Sequence, residues 1–219
     1  MTALDNLLDA APDPKAAAAR LEQLRADPEA RRLVDNMAPD SLRTLISLIS
    51  VSRFLFHFLC RQPAAMTVIG TAVPILPVVG ANTDLEVLRA TKYRELLRIA
   101  AIDLQARQPY EQVLAALSNL ADRTVVSALH LAGADDASCT LRDGVCIFAL
   151  GKQGAGELNF SSDLDLIYVS ANGTEGDIEA FQKQLMDGLR QFSRLLEETT
   201  ENGFLYRVDL NLRPWGRSG

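Results

Sequence analysis

The chain has 219 residues, of which 48% are apolar, so it is long enough for one or two domains and too apolar for extended disorder. Its net charge of −6 argues against a general nucleic-acid-binding protein, because such proteins usually carry a basic face. The three cysteines match no zinc pattern and fit a reduced protein, and Cys60 and Cys146 lie in apolar runs, which favours packing in a core. The N-terminus lacks the features of a signal peptide. We therefore expect a cytoplasmic protein without a membrane span, since the apolar stretch 66–79 is too short to cross a bilayer.

The N-terminal part of the chain, residues 1–135, is predicted to be a helical region. A run of strong helix formers (AAAARLEQLRA) follows Pro14 and predicts one of its helices. The strongly apolar run 42–60 predicts a helix that lies between other helices. Residues 63–82 are rich in proline and glycine and predict a loop.

Two long helices are predicted in the second half of this region. A capping box at 83–86 (TDLE) opens the first, and the second follows Pro109 and stops near Gly133. Basic side chains on the first of these helices are interpreted as a solvated face, with contact to a nucleotide or partner protein as the weaker alternative. These side chains are Lys92, Arg94 and Arg98.

Residues 136–219 have a different pattern, in which short apolar runs alternate with glycines and with one long helix. The runs 145–150 and 164–169 predict two strands, and the alternation from Arg207 onward predicts a third. Between them, residues 178–196 repeat apolar side chains at steps of three and four, which predicts an amphipathic helix. The fold class is therefore predicted to be α+β, with the helical region ahead of a mixed sheet with flanking helices.

Two carboxylates lie at the start of the second predicted strand, in the sequence SSDLDLIYV. Because side chains two residues apart on a strand share a face, Asp163 and Asp165 would face one site while the neighbouring leucines face the core. Asp209 lies on the third predicted strand and would join them if the two strands are neighbours. Three such carboxylates predict a site for two Mg²⁺ ions that bind a polyphosphate, with general base as a second role for Asp209.

Glycines, hydroxyls and cations surround these carboxylates in the sequence. The segment 151–156 has the composition for close approach of backbone to phosphate, and the two serines ahead of Asp163 carry hydroxyls for phosphate oxygens. Lysine and arginine side chains offer the matching positive charge. The candidates for binding nucleotide or phosphate are Gly151, Lys152, Gly154, Ser161, Ser162, Arg207 and Arg213, with Arg217 as a further cation.

Each of these features also has a simpler structural interpretation. An isolated Asp-x-Asp is common, paired serines can close a turn, and the C-terminal arginines can lie on the surface. The ordered combination favours a site: a glycine-rich turn, two serines, an Asp-x-Asp strand, a long helix and a strand with another aspartate. It is not a Walker A loop, because no Gly-Lys-Ser/Thr ends the turn. It is not a Rossmann fingerprint either, because carboxylates at the phosphate site would repel a bare dinucleotide unless metals intervened.

Gly151-Lys152 followed by Asp163-x-Asp165 resembles the signature of the DNA polymerase β-type nucleotidyltransferase superfamily, with Asp209 in the place of its third carboxylate. Lys152 stands where that superfamily usually has serine or glycine. The longer strings GKQGAGELNFSSDLDLIYV and GFLYRVDLNLRPWGRSG resemble the glutamine synthetase adenylyltransferase family. ISVSRFLFHFLCRQP and YRELLRIAAIDL are similar to the helical segment ahead of its catalytic domain.

The resemblance implies a polymerase β-like domain that acts on glutamine synthetase, with Mg²⁺ as cofactor, ATP, ADP and phosphate as substrates or products, and the nitrogen-regulatory signal protein PII as a further partner. Family members carry two such domains: one removes AMP from a tyrosine of glutamine synthetase by phosphorolysis, and the other adds AMP from ATP. Asn159-Phe160, and Arg207 ahead of Val208-Asp209, resemble the N-terminal, deadenylylating domain more closely. Carried over by position, the metal-binding catalytic residues are Asp163, Asp165 and Asp209.

Chains of this family continue well past the RPWGRSG stretch, whereas this chain ends at Gly219, so we expect a fragment or an unusually short relative. The alternative function is a non-catalytic module that binds a nucleotide or glutamine synthetase without turnover. A nucleotidyltransferase that acts on RNA or an antibiotic is a weaker alternative, because the acidic balance disfavours RNA. Neither a nucleic-acid partner nor a membrane partner is expected.

Overall fold

The fold is described from a computed structural model. Among the residues it describes, no single helix is both long and apolar enough to cross a bilayer. The helices Pro39–Val51 and Arg53–Arg61 reach that length and composition only as a pair, which is bent by 117°. The described residues are 2–77, 84–106, 108–134, 145–170 and 178–209.

The first of two compact units comprises residues 1–75 and 93–113 and is built from helices around one apolar core. Prolines occupy the first turns of three of these helices, where a missing N–H costs no hydrogen bond. The predicted helical character is confirmed here, but the run 42–60 forms two helices instead of one, because Ser52 ends the first and caps the second. The segment predicted as a loop begins with a 3₁₀ helix, Pro63–Val68. The α-helices before it are α1 (Ala3–Asp9), α2 (Pro14–Arg25), α3 (Pro28–Asp35), α4 (Pro39–Val51) and α5 (Arg53–Arg61).

The second unit comprises residues 76–92 and 114–219 and combines helices with a small sheet. The second long predicted helix ends in a π-helical turn in which Gly133 has a φ of 105°, so the predicted stop at this glycine is confirmed. The elements from residue 84 onward are α6 (Leu85–Leu104), α7 (Tyr110–Leu129), β1 (Val145–Ala149), α8 (Gly151–Gly154), β2 (Leu164–Ser170), α9 (Ile178–Glu197) and β3 (Val208–Asp209).

The sheet has the strand order β1-β2-β3. β1 runs antiparallel to β2, with Val145 opposite Ser170, and β2 runs parallel to β3, with Asp165 opposite Asp209. The parallel pair needs a crossover between its strands, and α9 lies within that crossover. The predicted order of strand, strand, long helix, strand is therefore confirmed.

One face of the sheet belongs to the apolar interior of the second unit. Leu164 and Leu166 of β2 are buried, as the alternation of the sequence predicts. Tyr168, two residues further, holds its ring 5.9 Å from that of Phe192 on α9 and its hydroxyl 3.2 Å from Ser193 Oγ. The amphipathic pattern of α9 is likewise confirmed. Its buried apolar side chains are Leu185, Leu189, Phe192 and Leu196.

The basic side chains of α6 do not form the solvated face that the sequence predicts. Lys92 and Arg98 are buried, and Arg94 is partly buried. The cause for Arg98 is a buried partner: its Nε and Nη2 both donate to the carboxylate of Glu95, at 2.8 and 2.7 Å. That carboxylate also accepts a hydrogen bond from the N–H of Ile75. A paired charge can be buried where a solitary one cannot, and the charge pattern of one helix does not reveal its partners.

The α+β fold class is confirmed by this mixture of helices and a small mixed sheet. The polymerase β-like assignment stays a prediction. The predicted domain boundary between residues 135 and 136 lies outside the described residues, as does the predicted continuation of the third strand beyond Asp209.

Candidate functional site

The candidate site lies where β2 and β3 run side by side. Asp165 and Asp209 occupy partner positions in the parallel register, so their backbones are neighbours in adjacent strands. Asp163 precedes β2 by one residue and shares the side of Asp165 through the two-residue repeat of extended chain. The sequence predicted that the three carboxylates converge if these two strands are neighbours. The strands are neighbours, so this condition is met.

Gly151 lies directly against the carboxylate of Asp165. Its φ is +54°, a conformation that L side chains rarely adopt, and a Cβ built on it would lie 2.1 Å from Asp165 Oδ2. The N–H of the preceding residue, Leu150, donates to the carbonyl oxygen of Asp165 at 2.8 Å. Glycine is therefore required at position 151 both by the backbone and by the space that the carboxylate occupies.

Arg207 holds Asp163 in an ion pair. Its Nε donates to Asp163 Oδ1 at 2.6 Å, while 63% of the arginine side chain and 49% of the aspartate side chain remain exposed. The carbonyl oxygen of Arg207 accepts a hydrogen bond from the N–H of Leu164 at 2.9 Å. An exposed pair of this kind stabilises a fold by only about 0.2–1 kcal/mol, so its main effect is to place a cation beside the carboxylates.

The two candidate serines belong to a turn that Asn159 closes. Asn159 Oδ1 accepts hydrogen bonds from the Ser161 N–H at 3.2 Å and from the Ser162 hydroxyl at 2.7 Å. Ser162 Oγ also accepts from the Asn159 N–H at 3.3 Å. Both serines thus lie immediately before Asp163, and the turn-closing interpretation describes their present contacts. Their contact with phosphate stays a prediction.

The remaining phosphate candidates lie on or beyond the short helix α8. Lys152 is exposed on this helix, and its carbonyl oxygen accepts a hydrogen bond from the Glu157 N–H at 2.8 Å. Gly154 packs so closely under β1 that an added Cβ would lie 2.5 Å from the carbonyl oxygen of Ala149. Arg213 lies outside the described residues.

The donor chemistry of the carboxylates fits Mg²⁺, which prefers carboxylate and other oxygen ligands. Asp165 and Asp209 are partners in the register, and the space beside Gly151 admits the Asp165 carboxylate. Within the described part of the chain, no group of three or more His, Cys, Asp or Glu side chains stands close enough to hold a metal ion. The ion pair of Asp163 with Arg207 takes up one of the predicted donors in this arrangement. The metal site stays a prediction.

Gln153 supports the site in a way that the sequence did not reveal. This side chain of α8 is buried, and its Nε2 donates to the carbonyl oxygen of Ser118, at 3.1 Å, and to the carboxylate of Asp122 on α7. Ser118 Oγ accepts a hydrogen bond from the Leu158 N–H at 3.0 Å. α7 therefore contacts the segment that follows Gly151 at two points, Gln153 and Leu158. A polar residue between two glycines gave no signal of this role, because its partners are more than thirty positions away in the chain.

The face of the sheet that carries the carboxylates is partly apolar. Cys146 and Phe148 of β1 lie opposite Val169 and Ile167 of β2, on the face that Asp165 shares. Cys146 is exposed, and Phe148 and Val169 expose 51% and 48% of their surface. The sequence predicted that Cys146 packs in a core. This prediction is wrong, because an apolar run shows which residues share a face but not whether another element covers it.

A groove with a volume of about 870 Å³ lies on the opposite face of the sheet. Tyr168 and Ser170 line it from β2, and Leu189 and Arg194 line it from α9. Because side chains alternate along β2, these strand residues point away from Asp165. The groove is therefore separate from the candidate site.

The chain matches proteins of one family. Residues 74–219 match the family described as glutamate-ammonia ligase adenylyltransferase. A relative from Stenotrophomonas maltophilia (strain K279a) is 32% identical over 93% of this chain and 23% of its own length. One from Rhodopseudomonas palustris (strain ATCC BAA-98 / CGA009) is 34% identical over 92% of this chain and 24% of its own. One from Bradyrhizobium sp. (strain ORS 278) is 38% identical over 62% of this chain and 15% of its own. Each is named bifunctional glutamine synthetase adenylyltransferase/adenylyl-removing enzyme, and this chain spans at most 24% of their lengths.

Proposed function

The chain belongs to the glutamate-ammonia ligase adenylyltransferase family, and we propose that it acts on glutamine synthetase as a nucleotidyltransferase. The family resemblance seen in the sequence strings is confirmed by that match. The proposed reaction is Mg²⁺-dependent transfer of AMP to a tyrosine of glutamine synthetase or its removal by phosphorolysis. Removal is the favoured direction, because Asn159-Phe160 and Arg207 resemble the deadenylylating domain.

One observation carries the proposal: Asp165 and Asp209 are partners on parallel strands, with Gly151 against the Asp165 carboxylate. The sequence predicted that Asp209 joins the other carboxylates if the two strands are neighbours, and β2 and β3 are neighbours. Asp163 and Arg207 flank the pair on the same two chain segments. This arrangement supports a site where carboxylates and a cation meet a phosphorylated substrate.

In the favoured direction, an oxygen of inorganic phosphate attacks the phosphorus of the AMP group on tyrosine. The bond between that phosphorus and the tyrosine oxygen breaks, the tyrosine oxygen takes up a proton, and ADP leaves. Bound Mg²⁺ would offset negative charge on the phosphates and on the leaving oxygen. The residues that would hold it are Asp163, Asp165 and Asp209.

The other side chains serve to bind and orient the phosphates. Arg207 is exposed enough to reach a phosphate oxygen, and its planar guanidinium offers two donors. Lys152 is a second exposed cation beside Gly151. In the adenylylating direction, Asp209 would serve as the general base that accepts the proton of the attacking tyrosine hydroxyl. The family resemblance adds two further parts to the proposal. The signal protein PII is proposed as a regulatory partner, and the cytoplasm is proposed as the location.

The proposal is tested by incubating the protein with adenylylated glutamine synthetase, phosphate and Mg²⁺. ADP and unmodified tyrosine are the expected products. A matched reaction with unmodified glutamine synthetase and ATP tests the opposite direction. The longest natural chain that contains residues 1–219 should be used in both reactions. If it forms product in neither reaction, the proposed function is refuted.

A second candidate is a module that binds nucleotide or glutamine synthetase without turnover. The ion pair of Arg207 with Asp163 favours it, because a carboxylate held by an arginine is less available to a metal ion. Calorimetry with ADP or ATP in the presence of Mg²⁺, run beside the product assay, separates the two candidates. Binding without product supports the module, and product formation excludes it.

A further inference from the structure

Two buried cations of the second unit have no part in the proposed chemistry. Arg89 and Lys92 lie one turn apart on α6, and only 1% and 6% of their surfaces are exposed. A buried charge is costly unless it is paired or hydrogen-bonded, so such groups persist where partners compensate them. The partners of these two side chains therefore indicate what the cations hold in place.

Arg89 binds the turn that follows α9 through hydrogen bonds of its guanidinium group. Its Nη2 donates to the carbonyl oxygen of Glu198 at 2.8 Å, and its Nη1 donates to Glu86 Oε1 at 2.6 Å. The other oxygen of Glu86 accepts a hydrogen bond from Asn202 Nδ2 at 2.7 Å. The hydrogen bonds from Asn202 and Arg89 lower the pKa of Glu86, which favours the carboxylate that accepts both bonds. One ion pair on α6 thus holds both ends of the segment 198–202.

Lys92 holds the next residues of the same segment. Its Nζ lies 4.8 Å from the ring centre of Tyr206 and 5.9 Å from that of Phe204, within the range of cation–π contacts. The N–H groups of Leu205 and Tyr206 both donate to the carbonyl oxygen of Leu196, at 3.0 and 2.9 Å. The segment 198–206 therefore folds back on the end of α9 through these backbone hydrogen bonds. It is also fastened to the start of α6 through the contacts of Arg89 and Lys92.

This fastened segment leads directly into the candidate site. Arg207 follows Tyr206 without a spacer, and Asp209 comes two residues later. The described pairing of β3 with β2 is only two residues long, so few hydrogen bonds fix its register. A slip of one residue would turn Asp209 to the opposite face of the sheet. Among the described residues, contacts outside this strand pair therefore contribute to setting the register.

We propose that Arg89 and Lys92 are positioning residues: they fasten the segment 198–206 to α6 and thereby hold β3 in the register that presents Arg207 and Asp209 to Asp163 and Asp165. The catalytic importance of this register rests on the proposed function, whereas the positioning role of Arg89 and Lys92 does not. The register itself can be measured without any substrate, so failure of one claim is distinguishable from failure of the other.

The test compares hydrogen exchange of single amides in the wild-type chain and in Lys92→Met, at pH 6. The Leu164 N–H donates to Arg207 and reports the β2–β3 pairing, whereas the Leu150 N–H donates to Asp165 and is the internal reference. We expect exchange of the Leu164 amide to accelerate by about tenfold or more, with the Leu150 amide unchanged. Lys92→Arg, which keeps the cation over the rings, should restore most of the protection.

Two further variants keep the test decisive. Asn202→Ala removes one exposed contact of the fastened segment and should accelerate the same amide to a smaller degree, even if Lys92→Met fails to fold. Arg190→Met removes an exposed arginine of α9 that pairs with Asp187, and it should change neither amide. Unchanged protection of the Leu164 amide in Lys92→Met and Asn202→Ala, or equal acceleration of both amides, overturns the proposal. In the product assay, the expected effect of Lys92→Met is a lower kcat with little change in the KM for adenylylated glutamine synthetase.

Discussion

Replacement of Gly151 by alanine tests the contact between the glycine turn and the Asp165 carboxylate. The added methyl group would lie 2.1 Å from Asp165 Oδ2 and 3.1 Å from its Cγ. Carbon and oxygen atoms normally approach to about 3.3 Å, so the carboxylate must move by about 1 Å. The Cβ of Asp165 lies 3.6 Å from the new methyl group, so rotation of the aspartate side chain can relieve the clash without moving the strand.

The structure predicts unequal effects of this substitution on stability and on activity. The left-handed backbone at position 151 costs an alanine about 1–2 kcal/mol of unfolding free energy. A displacement of about 1 Å in a reacting group can reduce a rate by about 100-fold, which corresponds to about 2.7 kcal/mol of activation free energy. We therefore expect kcat for AMP removal to fall by about two orders of magnitude in a chain that still folds.

Gly156→Ala is the matched control for this experiment. Gly156 has a φ of +72°, but a Cβ there would meet no atom within 4 Å. The control variant carries a similar backbone penalty and leaves Asp165 in place. Urea unfolding and the ADP-release assay would be measured on both variants. If Gly151→Ala retains activity within about threefold of Gly156→Ala, the contact with Asp165 has no catalytic importance and the reasoning is refuted.

Three further predictions concern charges around the site. Burial lowers the pKa of Lys92 to about 7, although the nearby rings favour its cation. In the unfolded chain the pKa of this lysine is near 10.4, so between these two values the unfolded chain binds one more proton than the folded chain. The free energy of unfolding therefore rises with pH in this range. From pH 7 to pH 9 the wild type should gain about 2 kcal/mol over Lys92→Met in urea unfolding, and parallel pH profiles would contradict this. Gln153→Glu places a carboxylate against Asp122 and the carbonyl of Ser118, so we expect a loss of about 1–3 kcal/mol at pH 8 that shrinks at pH 5. A pH-independent loss would argue against this contact. Arg207→Gln should change unfolding free energy by less than about 1 kcal/mol while raising the KM for phosphate, and an unchanged KM would remove Arg207 from phosphate binding.

Periodic patterns in the sequence were sufficient to place the framework of the site. The alternation in SSDLDLIYV predicted that Leu164 and Leu166 are buried and that the aspartates share the other face. The apolar repeat of α9 predicted the helix between the two aspartate-bearing strands. Both inferences succeed because the period of a strand or helix depends on local backbone geometry alone.

Contacts between distant parts of the chain were not predictable from these patterns. Lys92 reads as one of several surface cations, and its burial depends on Tyr206, more than a hundred residues away. Gln153 gave no signal because α7 supplies its partners. Cys146 was expected in a core, but its face of β1 is exposed among the described residues. In each case the outcome depends on which element packs against the residue, and periodicity carries no information about that.

The central claim is that Asp163 and Asp165 act in AMP removal from glutamine synthetase. The most direct measurement is release of ADP from adenylylated glutamine synthetase with phosphate and Mg²⁺, by the wild type and by the double variant Asp163→Asn, Asp165→Asn, in the longest natural chain that carries them. Phosphate-dependent ADP release by the wild type, reduced more than about 100-fold in the double variant, is the predicted result. Equal rates for the two proteins, at equal folded fraction, would contradict the account.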